Sequence, residues 1–88
     1  MFLSVIIPAY NEEKRIEKTL LAVSVYLASQ NYDYEIIVVN DGSIDNTVVA
    51  TMALKIPKLQ LIDNKKNNGK GYAVRQGLLK AKGDWRLF

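Results

Sequence analysis

The sequence predicts an α/β fold of three layers, with helices on both faces of a parallel sheet of about four strands. Three observations carry this. Four short apolar runs alternate with three segments of helical period, the pattern of parallel strands joined by crossover helices. The second run, Tyr34 to Val39, is almost continuously apolar, as a strand covered on both faces must be. The first two runs stop at polar turns, Ala9-Tyr10-Asn11-Glu12-Glu13 and Asn40-Asp41-Gly42-Ser43. Ligands of open parallel sheets bind beyond the carboxyl ends of the strands, so these turns predict one site built from two loops. Right-handed crossovers lead to the strand order 3-2-1-4.

Each element has its own signal. Phe2 to Ile7 is a β-branched run, and Pro8 suits a strand end, where no ladder donor is needed. Asn11 reads as a helix N-cap, which puts Glu12 and Glu13 in a first turn where negative charge suits the helix dipole. Ile16, Leu20, Val23 and Leu27 then recur at helical spacing as far as Ser29. Gln30 to Asp33 turns the chain into the second strand. Ser43 or Asp45 is expected to cap the second helix, with Val48, Val49, Met52, Ala53 and Ile56 as its buried stripe and Pro57 as its end. Leu59 to Ile62 is a third strand, and Asp63 to Gly71 a polar loop. Tyr72 to Lys82 is a third helix, with Val74, Leu78 and Ala81 on one side. Its Gly77 costs helix stability, which points to close packing against a strand. Gly83-Asp84 leads into a fourth strand, Trp85 to Phe88.

Composition narrows the chemistry. The 88 residues are 49% apolar and 24% charged, an ordinary globular balance. No apolar run nears the roughly 20 residues of a membrane span, and no basic segment precedes the first apolar one, as in a signal peptide. The chain has no cysteine, which excludes disulfides and thiolate chemistry and fits a cytoplasmic location. It has no histidine either, so a general base would be a carboxylate or a tyrosine. A net charge of +3 is too mild to argue for nucleic acid. Lys65, Lys66, Lys70, Arg75 and Lys80 lie close in sequence, and suit either a solvated surface or a phosphate cradle. The run Asn67-Asn68-Gly69-Lys70-Gly71 lacks the spacing and the terminal Lys-Ser/Thr of a Walker A loop.

Three segments, SVIIPAYNEE, EIIVVNDGSIDNT and NNGKGYAVRQGLLKAKGD, resemble in that order the inverting family 2 glycosyltransferases of the GT-A fold. Within the family the chain is similar to the polyprenyl-phosphate (dolichyl-phosphate) hexosyltransferases. The resemblance implies a Rossmann-like half of a GT-A fold and a UDP- or GDP-hexose donor. It also implies Mg²⁺ or Mn²⁺, and a polyprenyl phosphate as a possible acceptor. Position by position, it implies that Pro8, Ala9, Tyr10 and Glu12 line the nucleoside pocket and that Asp41 hydrogen-bonds the base or ribose. Gly42 would let backbone approach the ligand. Gly69 and Lys70 would lie beside the donor, Lys70 near the diphosphate, and Arg75 matches a basic position of the same motif. Blander roles exist for some of these: Glu12 as a dipole partner, Tyr10 as packing on the sheet edge, Asp45 as a cap.

In the family an Asp-X-Asp motif that grips the metal follows the fourth strand. Residues 1–88 are therefore expected to form the N-terminal, nucleotide-sugar-binding portion, without the metal ligands and inactive alone. Trp85, Leu87 and Phe88 would then be uncovered and favour a homo-oligomer, and membrane association would belong to other segments. The alternatives are a non-catalytic nucleotide-binding module and a fragment that folds by oligomerising.

Overall fold

The computed structural model describes residues 1–88. The elements are β1 (Phe2–Ala9), α1 (Ile16–Ala28), β2 (Asp33–Asp41), α2 (Thr47–Ala53), β3 (Leu59–Asn64), α3 (Lys70–Lys80) and β4 (Trp85–Leu87). The strands form one sheet in the order β3-β2-β1-β4. Every pairing is parallel, with Ile6 beside Ile37 and Ile37 beside Gln60. This is the expected fold and strand order. The chain builds outward from β1 through β2 to β3, then returns to place β4 on the other side of β1. The reversal opens a crevice beyond the carboxyl ends of β1 and β4.

Alternation along the strands divides the core. Val5, Ile36 and Val38 face one side and pack with Ile16, Leu20 and Leu27 of α1, with Ala50 and Leu54 of the α2 segment against them. Ile6, Ile37 and Val39 face the other side and pack with Ala73 and Ala81. Ile36 through Val39 are each 0% exposed, as a central strand covered on both faces requires. Gly77 lets α3 lie on β1: a Cβ there would stand 2.9 Å from Ile6 Cγ1, closer than van der Waals contact allows.

Two helices differ from the expectation. α1 begins at Ile16 rather than just after Asn11, because Glu12 to Arg15 form a turn whose N–H groups are partly held by the neighbouring loop. In α2 the buried side chains are Thr47 and Thr51, while Val49 and Met52 are exposed. Hydroxyl bonding permits this rotation, since Thr51 Oγ1 donates to the Thr47 carbonyl at 2.8 Å. α2 also ends at Ala53, ahead of Pro57, with Lys55 in the left-handed region at φ 51°. Smaller shifts affect β3, which runs on to Asn64, and α3, which starts two residues early at Lys70. Trp85, Leu87 and Phe88 are exposed. No helix is long and apolar enough to cross a membrane.

The amino edge of the sheet is tied by one carboxylate. Glu35 Oε2 accepts from Ser4 Oγ at 2.5 Å and from the Lys82 N–H at 2.7 Å. Its Oε1 accepts from Gln60 Nε2 at 3.3 Å, and Ser4 Oγ in turn accepts from the Gly83 N–H at 2.8 Å. Burial pushes the Glu35 carboxyl up. The Lys82 N–H, the Ser4 hydroxyl, the Lys82 charge and the Gln60 amide together outweigh it and hold the group below its ordinary 4.5. A depressed folded pKa contributes stability that is present above the unfolded value and lost as pH falls through the folded one. The unfolding midpoint is therefore expected to drop as the pH is lowered below 4.5, and Glu35→Gln to flatten that dependence. Thermal melts of both proteins across the acid range check this; parallel curves would remove Glu35 as a contributor.

Candidate functional site

A cleft of about 710 Å³ opens at the carboxyl edge of the sheet, lined by Pro8, Ala9, Tyr10, Glu12, Asp41, Asn67, Gly69, Lys70 and Phe88. It draws on the ends of β1 and β2, the loop before α3 and the residue after β4, the position that the strand reversal dictates. Its polar lining carries both charge signs and its apolar lining includes two aromatic rings.

Asp41 is 4% exposed and lines the cleft from the end of β2. Its Oδ1 accepts from the Asn68 N–H at 2.9 Å and its Oδ2 from the Gly69 N–H at 3.0 Å. A buried carboxylate needs such donors, and here consecutive backbone groups of another loop supply them. About two of the carboxylate's four lone-pair positions stay free for a ligand. Glu12 stands at the rim and forms an ion pair with Arg15.

The loop before α3 adds positive potential. Gly69, at φ 93°, precedes the helix, and the first helical bond runs from the Ala73 N–H to the Gly69 carbonyl. The N–H groups of Lys70, Gly71 and Tyr72 have no carbonyl within the helix to bond. With the helix dipole and the Lys70 ammonium they favour an anion at this end. Asp63 binds Lys65 Nζ at 2.9 Å and Asn40 Nδ2 at 2.8 Å, so Lys65 is engaged away from the cleft. The Lys65 and Asn40 bonds hold the Asp63 carboxyl below its ordinary value against a smaller effect of burial.

Seven of the nine positions singled out from the sequence line the cleft, and two do not. Gly42, at φ 73°, makes its close approach to the chain itself: a Cβ would lie 2.5 Å from the Lys66 carbonyl carbon. The glycine lets the β2–α2 loop pack under residues 66–67 rather than admitting a ligand. Arg75 is exposed on α3 and outside the lining; five residues turn it about 140° around the helix from Lys70. Sequence reasoning missed Asn67 and Phe88. Asn67 stands next to the segment singled out, and Phe88 follows a strand whose carboxyl end meets the crevice.

No group of three His, Cys, Asp or Glu side chains comes together to hold a metal ion. Asp41 is bonded to backbone N–H groups and Glu12 to Arg15. The residues of this chain do not by themselves make the Mg²⁺ or Mn²⁺ site that the resemblance implies.

Comparison with known proteins gives a consistent result. The family model for Glycosyl transferase family 2 matches residues 4–88. A dolichyl-phosphate beta-glucosyltransferase of Trichomonas vaginalis is 45% identical over 96% of this chain and 27% of its own length. The Drosophila melanogaster dolichyl-phosphate beta-glucosyltransferase is 44% identical over 98% of this chain and 29% of its own. The chain thus spans little more than a quarter of the relatives that it matches. Among solved structures, S. aureus TarS in complex with UDP-GlcNAc superposes with a TM-score of 0.85 at 30% identity, covering 100% of this chain and 26% of that one. The Pyrobaculum calidifontis mannosyltransferase PcManGT, in complex with GDP-Man and Mn²⁺, gives 0.76 at 32% identity over 93% of this chain and 25% of that one.

Proposed function

Because this chain belongs to glycosyl transferase family 2, we propose that its cleft is the donor site of a hexosyltransferase that uses a UDP- or GDP-sugar. The acceptor is a polyprenyl phosphate, the class named in the relatives. The observation that carries this reading is convergence. Three segments far apart in sequence bring Tyr10, Asp41 and Lys70 to one cleft at the strand reversal, with an apolar wall for a base, a carboxylate for a ring N–H or ribose hydroxyl, and a cation for a diphosphate.

The reaction is a displacement at the anomeric carbon. An acceptor oxygen forms a bond to C1 as the bond from C1 to the diphosphate oxygen breaks, with inversion, and the leaving electron pair goes to the nucleoside diphosphate. This chain's share is to bind and orient the donor: Pro8 to Tyr10 and Asp41 hold the nucleoside, while Lys70 and the start of α3 offset the diphosphate charge. No side chain here is assigned as the base.

Titrating the ¹⁵N-labelled chain with UDP and with GDP tests the reading. Amide shifts are expected at Ala9 to Glu12, at Asp41 and at Asn67 to Lys70, and for one of the two nucleotides more strongly. Shifts confined to the amino edge of the sheet, or none at millimolar nucleotide, would overturn it.

A further inference from the structure

The segment Ser43 to Thr47 carries short polar side chains to which the donor reading gives no role. They face the turn after β1. The Asn11 N–H donates to Ser43 Oγ at 2.9 Å, the Glu12 N–H to Thr47 Oγ1 at 2.8 Å, and the Glu13 N–H to Asp45 Oδ2 at 3.3 Å. In return the Ile44 N–H donates to Asn11 Oδ1 at 2.9 Å. Three consecutive backbone donors of one loop thus end on side chains of the other. This matters because Asn11 sits at φ 51°, a conformation that costs energy for a residue with a Cβ and persists only where its surroundings impose it.

Thr47 is the centre of the arrangement. It is 0% exposed, whereas its chain neighbours Asn46 and Val48 are exposed and half-buried. Its hydroxyl accepts from Glu12 and donates to Asp45 Oδ1, which also takes the Thr47 N–H at 2.9 Å. A hydroxyl whose proton is committed to a carboxylate has its lone pairs turned the other way, here toward Glu12. We propose that Thr47 is a positioning residue of the cleft: its hydroxyl, oriented by Asp45, sets where the Tyr10–Glu12 wall stands relative to Asp41. The link to a ligand rests on the donor reading above; the link between the loops does not.

Thr47→Val keeps the shape and removes the hydroxyl, and Thr47→Ser keeps the hydroxyl. The valine variant is expected to stay folded, with a melting midpoint about 4–8 °C lower. Its affinity for UDP or GDP, whichever the parent binds, should be about fivefold weaker, the worth of one modest hydrogen bond. Exchange of the Asn11, Glu12 and Glu13 amides should quicken, and the serine variant should restore both affinity and exchange. Should the valine variant fail to fold, Asp45→Ala and Asp45→Asn serve instead. The alanine should weaken binding and quicken exchange; the asparagine, whose Oδ1 still accepts from Thr47 while its NH₂ cannot take the Glu13 N–H, should restore binding and the exchange of the Asn11 and Glu12 amides but not that of Glu13. Parent-like affinity in the valine variant, or failure of the serine to rescue it, would overturn the proposal and leave the donor reading intact. If the parent binds neither nucleotide, the donor reading fails, and amide exchange still decides whether Thr47 holds the turn: unchanged exchange in the valine variant overturns that too.

Discussion

Replacing Gly77 with valine is expected to destabilise the chain by about 2–4 kcal/mol, a large part of what a domain of this size holds. A small domain buries less of its surface than a large one and has little reserve. The Gly77 Cα faces Ile6, which is 1% exposed in the middle of β1. An added Cβ would lie 2.9 Å from Ile6 Cγ1 and 3.2 Å from Ile6 Cβ. Neither the strand nor the helix can retreat cheaply, because β1 lies between β2 and β4 and α3 packs on both β1 and β2. Alanine at 77 meets the same contact, and its better helix propensity of about 1 kcal/mol offsets only part of the cost. Gly71, six residues earlier in the same helix, supplies the control: a Cβ there meets nothing within 4 Å. Gly71→Ala is therefore expected to raise stability by about 0.5–1 kcal/mol. Urea denaturation of the three variants measures both signs. A Gly77→Ala protein as stable as the parent would mean that α3 does not lie so close to β1.

Asp41→Ala is expected to weaken nucleotide binding by about tenfold or more, since losing a partner for a buried polar group costs about 1–3 kcal/mol. Two losses combine. The ligand loses its acceptor, the Asn68 N–H loses its partner and the Gly69 N–H keeps only Asn67 Oδ1 at 2.9 Å, so the segment that carries Lys70 is held less firmly beside the cleft. Asp41→Asn separates them, because its single carbonyl oxygen can serve one loop donor while its NH₂ repels the other. Calorimetric titration with UDP and GDP gives the affinity, and amide exchange at residues 68 and 69 gives the loop. An alanine variant that binds like the parent would take Asp41 out of the site.

Much of the fold was legible because it follows from short-range patterns. The run through Ile36 to Val39 suits a strand buried on both faces, and a glycine at 77 within a helical pattern implied a close approach. That Tyr10, Asp41 and Lys70 come together at one cleft was legible because strand ends and helix starts of a doubly wound sheet converge on one edge. What was not legible depends on contacts between loops. Asn11 looks like a cap, yet its side chain serves Ile44, and the helix starts only once the turn has been tied to Thr47. The inward face of α2 was misread because two threonines satisfy their hydroxyls within that region and so tolerate burial. Gly42 is expected from the sequence to bring backbone close to a ligand, but the neighbour it meets is the backbone of Lys66 and Asn67, about 25 residues away in sequence and invisible to any local rule.

The Glu35 network and the cleft sit at opposite ends of the same strands, with Ser4 and Ala9 five positions apart on β1, about 16 Å at strand rise. They have no residue in common. Changes at sites that far apart without shared partners combine additively. A lineage that varied the loop tips around the cleft could thus recover lost robustness by substitutions at the far rim, with neither change interfering with the other. The same separation offers an engineer two independent dials, one for the cleft and one for thermal tolerance, within a single 88-residue stretch.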